Sequence, residues 1–268
     1  MLLVATAVGL GAVCWFCLGP TRLRSVRAQP AWFRRRLRAV APFVAALGAV
    51  LVVNKGLQGW IERFSHAYGF EATATLYAIE GDFVLTFQEL VPAPAMLYFS
   101  GVYVVGYAVI LVAPLVVYLF ADRARPIKLL VAAYAVNYAV AVVAYATVVA
   151  YGPRNADRAS SAGSADAPLL ALVPDITTVT ALVNTNTNVF PSLHTSLSVT
   201  VLLIAATTRD EFRRWFVLAA VLASSIVVAT MALGIHWALD VGAGIALAVG
   251  AVAVAGRVVD ASSSHNDF

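Results

Sequence analysis

Apolar residues run along this chain in stretches of about twenty, the length that crosses the hydrocarbon core of a bilayer as an α-helix. The runs predict spans near 1–18, 40–57, 95–120, 129–151, 193–207, 215–233 and 236–255. Pro114 lies inside the third and predicts a bend there, which membrane helices tolerate. Residues 58–94 follow another pattern. Trp60, Ile61, Phe64, Phe70, Leu76, Tyr77, Ile79, Phe83, Val84 and Phe87 alternate with Glu62, Glu71, Glu80, Asp82 and Glu89. That interleaving predicts one or two amphipathic helices on the membrane surface, interrupted at Gly81-Asp82. Such a segment either roofs a site or packs on the ends of the spans. The expected fold is all-α: a polytopic membrane bundle of about seven transmembrane helices with a surface-lying amphipathic segment.

Composition supports that class. Hydrophobic residues make up 61% and charged residues 12% of the chain, with mean hydropathy +0.85. Soluble domains carry roughly a quarter charged residues. No polar stretch is long enough to fold separately, so one helical domain suffices. The 257–268 tail reads as polar and disordered. The net charge of +4 does not indicate nucleic acid, because the basic residues lie between spans; the partner is the bilayer.

Charge also orients the chain. Arg22, Arg24, Arg27, Arg34, Arg35, Arg36 and Arg38 follow the first span with no acid among them. Only Lys55, Arg63, Arg154 and Arg158 of the 18 Lys and Arg fall in the alternate segments. The positive-inside rule then puts the N-terminus outside, the C-terminus in the cytoplasm, and the 152–189 loop at the outer face of a cell membrane. Cys14 and Cys17 form a C-x-x-C within the first span and read as two small apolar residues of a helix. His66 reads as a surface residue.

The chemistry concentrates between residues 188 and 240. Phe190-Pro191-Ser192-Leu193-His194 opens one apolar run, and Gly234-Ile235-His236-Trp237-Ala238-Leu239-Asp240 closes the next. A charged turn at 209–214 joins the two runs as a hairpin, which returns His194 and His236 to one surface. His236 and Asp240 are four apart and share a helix face. The carboxylate can fix the imidazole tautomer and leave the other ring nitrogen free to act. Two His, an Asp and nearby Arg suit acid–base or nucleophilic work on an anion. A zinc site is the rival, and Arg154 and Arg158 disfavour it while favouring a phosphate. Pro191-Ser192 is a helix-start signal with Ser192 as cap, and a helix N-terminus offers N–H groups to a phosphate.

These motifs resemble the type 2 phosphatidic acid phosphatase superfamily, and within it the inositolphosphotransferase branch that contains inositol phosphorylceramide synthase. That branch reads Phe-Pro-Ser-Leu-His in its second motif, as Phe190 to His194 do here. The third motif matches at His236 and Asp240, followed by Val241-Gly242-Ala243-Gly244. The resemblance covers roughly 145–244 and implies a catalytic helical core at 129–256, preceded by N-terminal spans at 1–128. It implies that His236 attacks phosphorus to form a phosphohistidine, that Asp240 orients it, and that His194 handles the proton of the leaving and incoming alcohols. Arg154, Ser192 and Arg158 would hold phosphoryl oxygens, with no metal or cofactor. Two departures stand out. The family Arg six places before His236 is Thr230, and the first motif is weak, with Thr147 in place of its Lys and Asn155 after Arg154. A pocket with fewer cations suits a diester. The expected function is thus a lipid phosphotransferase acting on phospholipid or isoprenoid lipid phosphate esters. The alternatives are a lipid phosphate or polyprenyl (di)phosphate phosphatase, and a non-enzymatic membrane protein with a degenerate site.

Overall fold

The computed structural model describes residues 2–28, 30–154 and 189–264. Helix α1 (Leu2–Ala28) breaks at Gly19, whose φ of 66° leaves the helical region where the apolar stretch meets the basic one. Helix α2 (Pro30–Tyr68) runs unbroken for 39 residues. Two short helices follow, α3 (Thr73–Glu80) and α4 (Phe83–Leu90). Next, α5 (Ala93–Gly101), a π-helical turn (Val102–Gly106) and α6 (Tyr107–Leu119) form one long apolar rod. Helices α7 (Arg125–Thr147), α8 (Leu193–Thr207), α9 (Arg213–Ala232) and α10 (Ala238–Ser264) complete the bundle. The sheet content among the described residues is one parallel pairing, β1 (Phe70–Glu71) with β2 (Val148–Val149).

This is an all-α polytopic bundle. Among the described residues five helices are long and apolar enough to cross a membrane: 31–68, 93–119, 125–147, 213–232 and 238–262. Leu3–Gly19 and Leu193–Thr207 are apolar but shorter. Their neighbours expose large apolar side chains outward, with Val52, Val143 and Val249 more than half exposed, as lipid-facing surfaces require. Helix α8, at 15 residues, spans only about 22 Å at 1.5 Å per residue.

Helix α8 packs against α7, α9 and α10, α10 also packs on α7, and α2 lies against α7 and α1 against α6. Polar groups join them within the apolar core. Asn137 on α7 donates to Thr200 Oγ1 on α8 at 3.1 Å and accepts from Ser196 Oγ. Tyr118 of α6 accepts from Trp215 Nε1 of α9 at 3.0 Å. Such bonds hold transmembrane helices together where apolar burial alone does not distinguish helix from lipid.

Two expectations need correction. Residues 58–68 continue α2 instead of forming a separate surface helix. Trp60 stacks on Phe64, and Phe64 meets Tyr68 at a tilt, at helical spacing along it. The short amphipathic helices are therefore α3 and α4, broken at Gly81 (φ 59°) as the sequence predicts. The third span also carries a π-turn at 102–106, upstream of Pro114. Finally, α10 extends to Ser264, so 257–264 is helix and not disordered tail. Val259 is fully buried there and Asp260 pairs with Arg125 at 2.9 Å.

Candidate functional site

The α8–α9 hairpin returns the chain to the end of the bundle where α8 began, and α10 starts beside that point. Ser192 caps α8: its Oγ accepts from Thr195 N at 3.3 Å and donates to Thr195 Oγ1 at 3.1 Å. Its own N–H donates to Asp240 O at 3.2 Å, so the starts of α8 and α10 are tied together. Gly244, one turn further along α10, allows the approach. A Cβ there would sit 2.6 Å from Ser192 O.

Helix α9 ends in a tight turn at Gly234, where φ is +62°. The Thr230 carbonyl accepts from Ile235 N at 2.9 Å and from His236 N at 3.1 Å. His236 thus leaves α9 on a fixed backbone. Asp240 Oδ2 accepts from Trp237 N at 2.9 Å and lies 3.5 Å from His236 Nδ1. The His194 and His236 rings face each other with centroids 6.0 Å apart. The segment after α7 closes the third side. Arg154 N donates to Gly234 O at 3.0 Å, and a Cβ on Gly152 would meet Ile235 O at 2.0 Å. Only glycine permits that contact, which brings Arg154 alongside His236.

The sequence places the histidines at a membrane surface, yet the structure buries them. His236 is 1% exposed, His194 7% and Asp240 0%. A buried polar atom normally finds a hydrogen bond. Among the described residues His194 Nε2, both His236 ring nitrogens and Asp240 Oδ1 have none of good geometry. Burial disfavours the charged form of the His236 ring. A neutral imidazole has one N–H and one lone pair, and Nδ1 is the nitrogen turned to the Asp240 carboxylate.

His194 is held by aromatics that the sequence reading did not single out. Tyr103 stacks on it at 4.6 Å and Tyr107 lies at 4.4 Å on a tilted plane. The Tyr103 hydroxyl is 3.5 Å from His194 Nδ1. Tyr103 lies within the π-turn and Tyr107 immediately after it. Their i, i+4 spacing within the third span was the available signal, and π-turns often mark functional sites. The Arg154 charge reaches both Tyr103 and His236.

Of the expected site residues, His194, His236, Asp240 and Arg154 come together. Ser192 is adjacent and fully buried, but its hydroxyl is engaged in capping α8 and its N–H in joining α8 to α10. Arg158 lies outside the described residues. Thr230 and Thr147, which stand where the resemblance implies cations, turn their hydroxyls back to their own helices, on Val227 O at 2.7 Å and Val143 O at 2.9 Å. Among the described residues no group of three or more His, Cys, Asp or Glu is placed to hold a metal ion.

No curated protein and no solved structure matches the chain. The family model of the PAP2 superfamily matches residues 74–254, from α3 to α10 and across every residue of the site. The chain belongs to the PAP2 superfamily, whose members are lipid phosphatases and phosphotransferases, and is an enzyme of that type.

Proposed function

We propose that this protein transfers a phosphoryl-linked headgroup between lipid and alcohol through a phosphohistidine, in the manner of the inositolphosphotransferase branch. One observation carries the reading: two buried imidazoles stand 6.0 Å apart, and one of them has its Nδ1 3.5 Å from the Asp240 carboxylate. His236 Nε2 attacks phosphorus, and the P–O bond to the leaving alcohol breaks as the P–N bond forms. His194, protonated on both ring nitrogens once the anionic phosphate is bound beside it, gives its Nε2 proton to the departing oxygen and becomes the neutral imidazole. In the second half His194 takes the proton of the incoming hydroxyl, whose oxygen displaces His236. The covalent step divides one difficult displacement into two. Arg154 stabilises the charge on the non-bridging oxygens.

The cation count favours transfer from a diester over hydrolysis of a monoester. Thr147 and Thr230 bring no charge, and their hydroxyls are engaged on their own helices. A diester phosphate carries a single negative charge and needs less compensation. The charged loops gather at the bundle end opposite the histidines, which supports a cytoplasmic position for that end and an outward-facing site.

The test uses purified protein in lipid nanodiscs with phosphatidylinositol or polyprenyl phosphate labelled at phosphorus, with and without an alcohol acceptor. Label moving to the acceptor is the expected result. Release as inorganic phosphate makes the protein a phosphatase with the same site. The His236→Ala protein is expected to lose activity by a factor on the order of 10,000 or more, as loss of a nucleophile does. Equal turnover by wild type and His236→Ala overturns the mechanism.

A further inference from the structure

Residues 70–80 touch both walls of the site while contributing no group between the histidines. On one side, β1 pairs with β2 and Ala72 N donates to Val149 O at 2.8 Å. Thr73 Oγ1 accepts from Tyr151 N at 3.0 Å. These bonds hold the strand that runs on to Arg154. On the other side, Tyr77 sets its ring edge against Trp237, with centroids 6.1 Å apart. Trp237 in turn donates from Nε1 to Tyr151 O at 2.9 Å, which links the two walls.

Glu80 makes the decisive contact. Its Oε1 accepts from Ala238 N at 2.9 Å and its Oε2 from Leu239 N at 3.0 Å. The first N–H groups of a helix lack partners inside it. A carboxylate that bridges two of them is favoured by charge and by the helix dipole. Within its own helix the residue is badly placed, because Glu80 is the last residue of α3 and a helix C-terminus repels an anion. Its position makes sense through α10 rather than α3. The turn it fixes is the one in which Asp240 Oδ2 receives Trp237 N and faces His236 Nδ1.

We propose that Glu80 is a positioning residue for the reaction at His236, and that residues 70–80 brace the Arg154 wall against the His236–Asp240 wall. This rests on the reading of His236 as nucleophile. Without the carboxylate, the Ala238 and Leu239 N–H groups lose their partners and the first turn of α10 loosens. Asp240 then no longer holds His236 in one orientation, and displacement on the order of 1 Å suffices for a hundredfold loss. Glu80 acts on the first turn of α10, beside Asp240, so the loss is expected in the chemical step and not in binding.

Glu80→Gln and Glu80→Ala are compared with wild type as full-length protein in nanodiscs, with labelled phosphatidylinositol or polyprenyl phosphate, whichever the wild type turns over. The fraction of protein that traps acid-labile label and the melting temperature are measured beside kcat and KM. The expected result is an ordered loss in kcat per trapped site, about tenfold for Gln, which keeps one acceptor, and about a hundredfold for Ala. KM stays within about twofold. A fall in rate that only follows the loss of trapped sites or folded protein makes Glu80 structural and overturns the proposal. So does a rise in KM at unchanged kcat, or no change. Equal turnover by wild type and His236→Ala removes the reading beneath it, and is seen without any Glu80 variant.

Discussion

The two ends of this bundle treat polar groups in opposite ways. At the charged end they close on one another. Arg36 Nη2 donates to Ala121 O at 2.7 Å and Asp122 O at 3.1 Å, Glu211 accepts from Asp122 N, and Arg125 pairs with Asp260. One nitrogen of Arg36 is the atom left over in this set. At the histidine end the groups are held only from behind. Trp237 N fixes Asp240, Asp240 faces His236, Tyr103 stacks on His194, and among the described residues His194 Nε2 and both His236 ring nitrogens have no hydrogen-bond partner of good geometry. Leaving buried polar atoms unsatisfied is destabilising, and a protein tolerates it where function requires. One end is therefore scaffold, and the other holds its polar groups in place for the chemistry proposed above.

The largest effect that sharpens this contrast is expected from His194→Gln. The amide keeps bulk and polarity but cannot exchange a proton, so kcat falls about 100- to 10,000-fold. A diester with an acidic leaving alcohol needs no proton on departure, and its first step should recover. Label trapping with such a substrate checks this, and equal losses with both leaving groups would remove the acid role from His194. A smaller effect is expected from Gly152→Ala, which makes no chemical group disappear. The added Cβ would meet Ile235 O at 2.0 Å, so the Arg154 wall must move, with a rate loss of about a hundredfold. Gly250 on α10 has nothing within 4 Å of its Cβ position. Gly250→Ala is the matched control, with activity unchanged in the same label-transfer assay.

How much of this was legible beforehand differs between the two ends and follows from distance along the chain. Hydropathy alone placed the spans, and the hairpin joining His194 to His236 followed from two apolar runs and one charged turn. The His236–Asp240 pairing was expected from a shared helix face, and it forms although His236 precedes α10, in the turn that leads into that helix. What depended on remote contact was not legible. Glu80 reads as one more acid on an amphipathic face until α10 meets it 158 positions later. Tyr103 lies 91 positions from the histidine it covers. Burial of His236 is not legible because a polar residue beside an apolar run looks like an edge, whereas the contacts of Gly152 with Ile235 and of Arg154 with Gly234 close over it. The 58–68 stretch was misassigned because an amphipathic pattern does not distinguish a helix lying on a surface from one passing through it.

The smallest expected effect tests the contrast from its quiet side. Arg125 and Asp260 form a two-bond pair at 2.9 and 3.0 Å, and their side chains are 50% and 59% exposed. Water screens such a pair, and ordering two mobile side chains offsets most of its attraction. Arg125→Gln is therefore expected to leave the melting temperature in nanodiscs unchanged at moderate salt, and turnover within about twofold of wild type. If the division between scaffold and site is right, a contact of good geometry at the charged end matters less than one methyl group at Gly152. A loss of activity for Arg125→Gln comparable to that of Gly152→Ala would show that the end of α10 reports to its beginning. The charged end would then have to be counted as part of the working machinery.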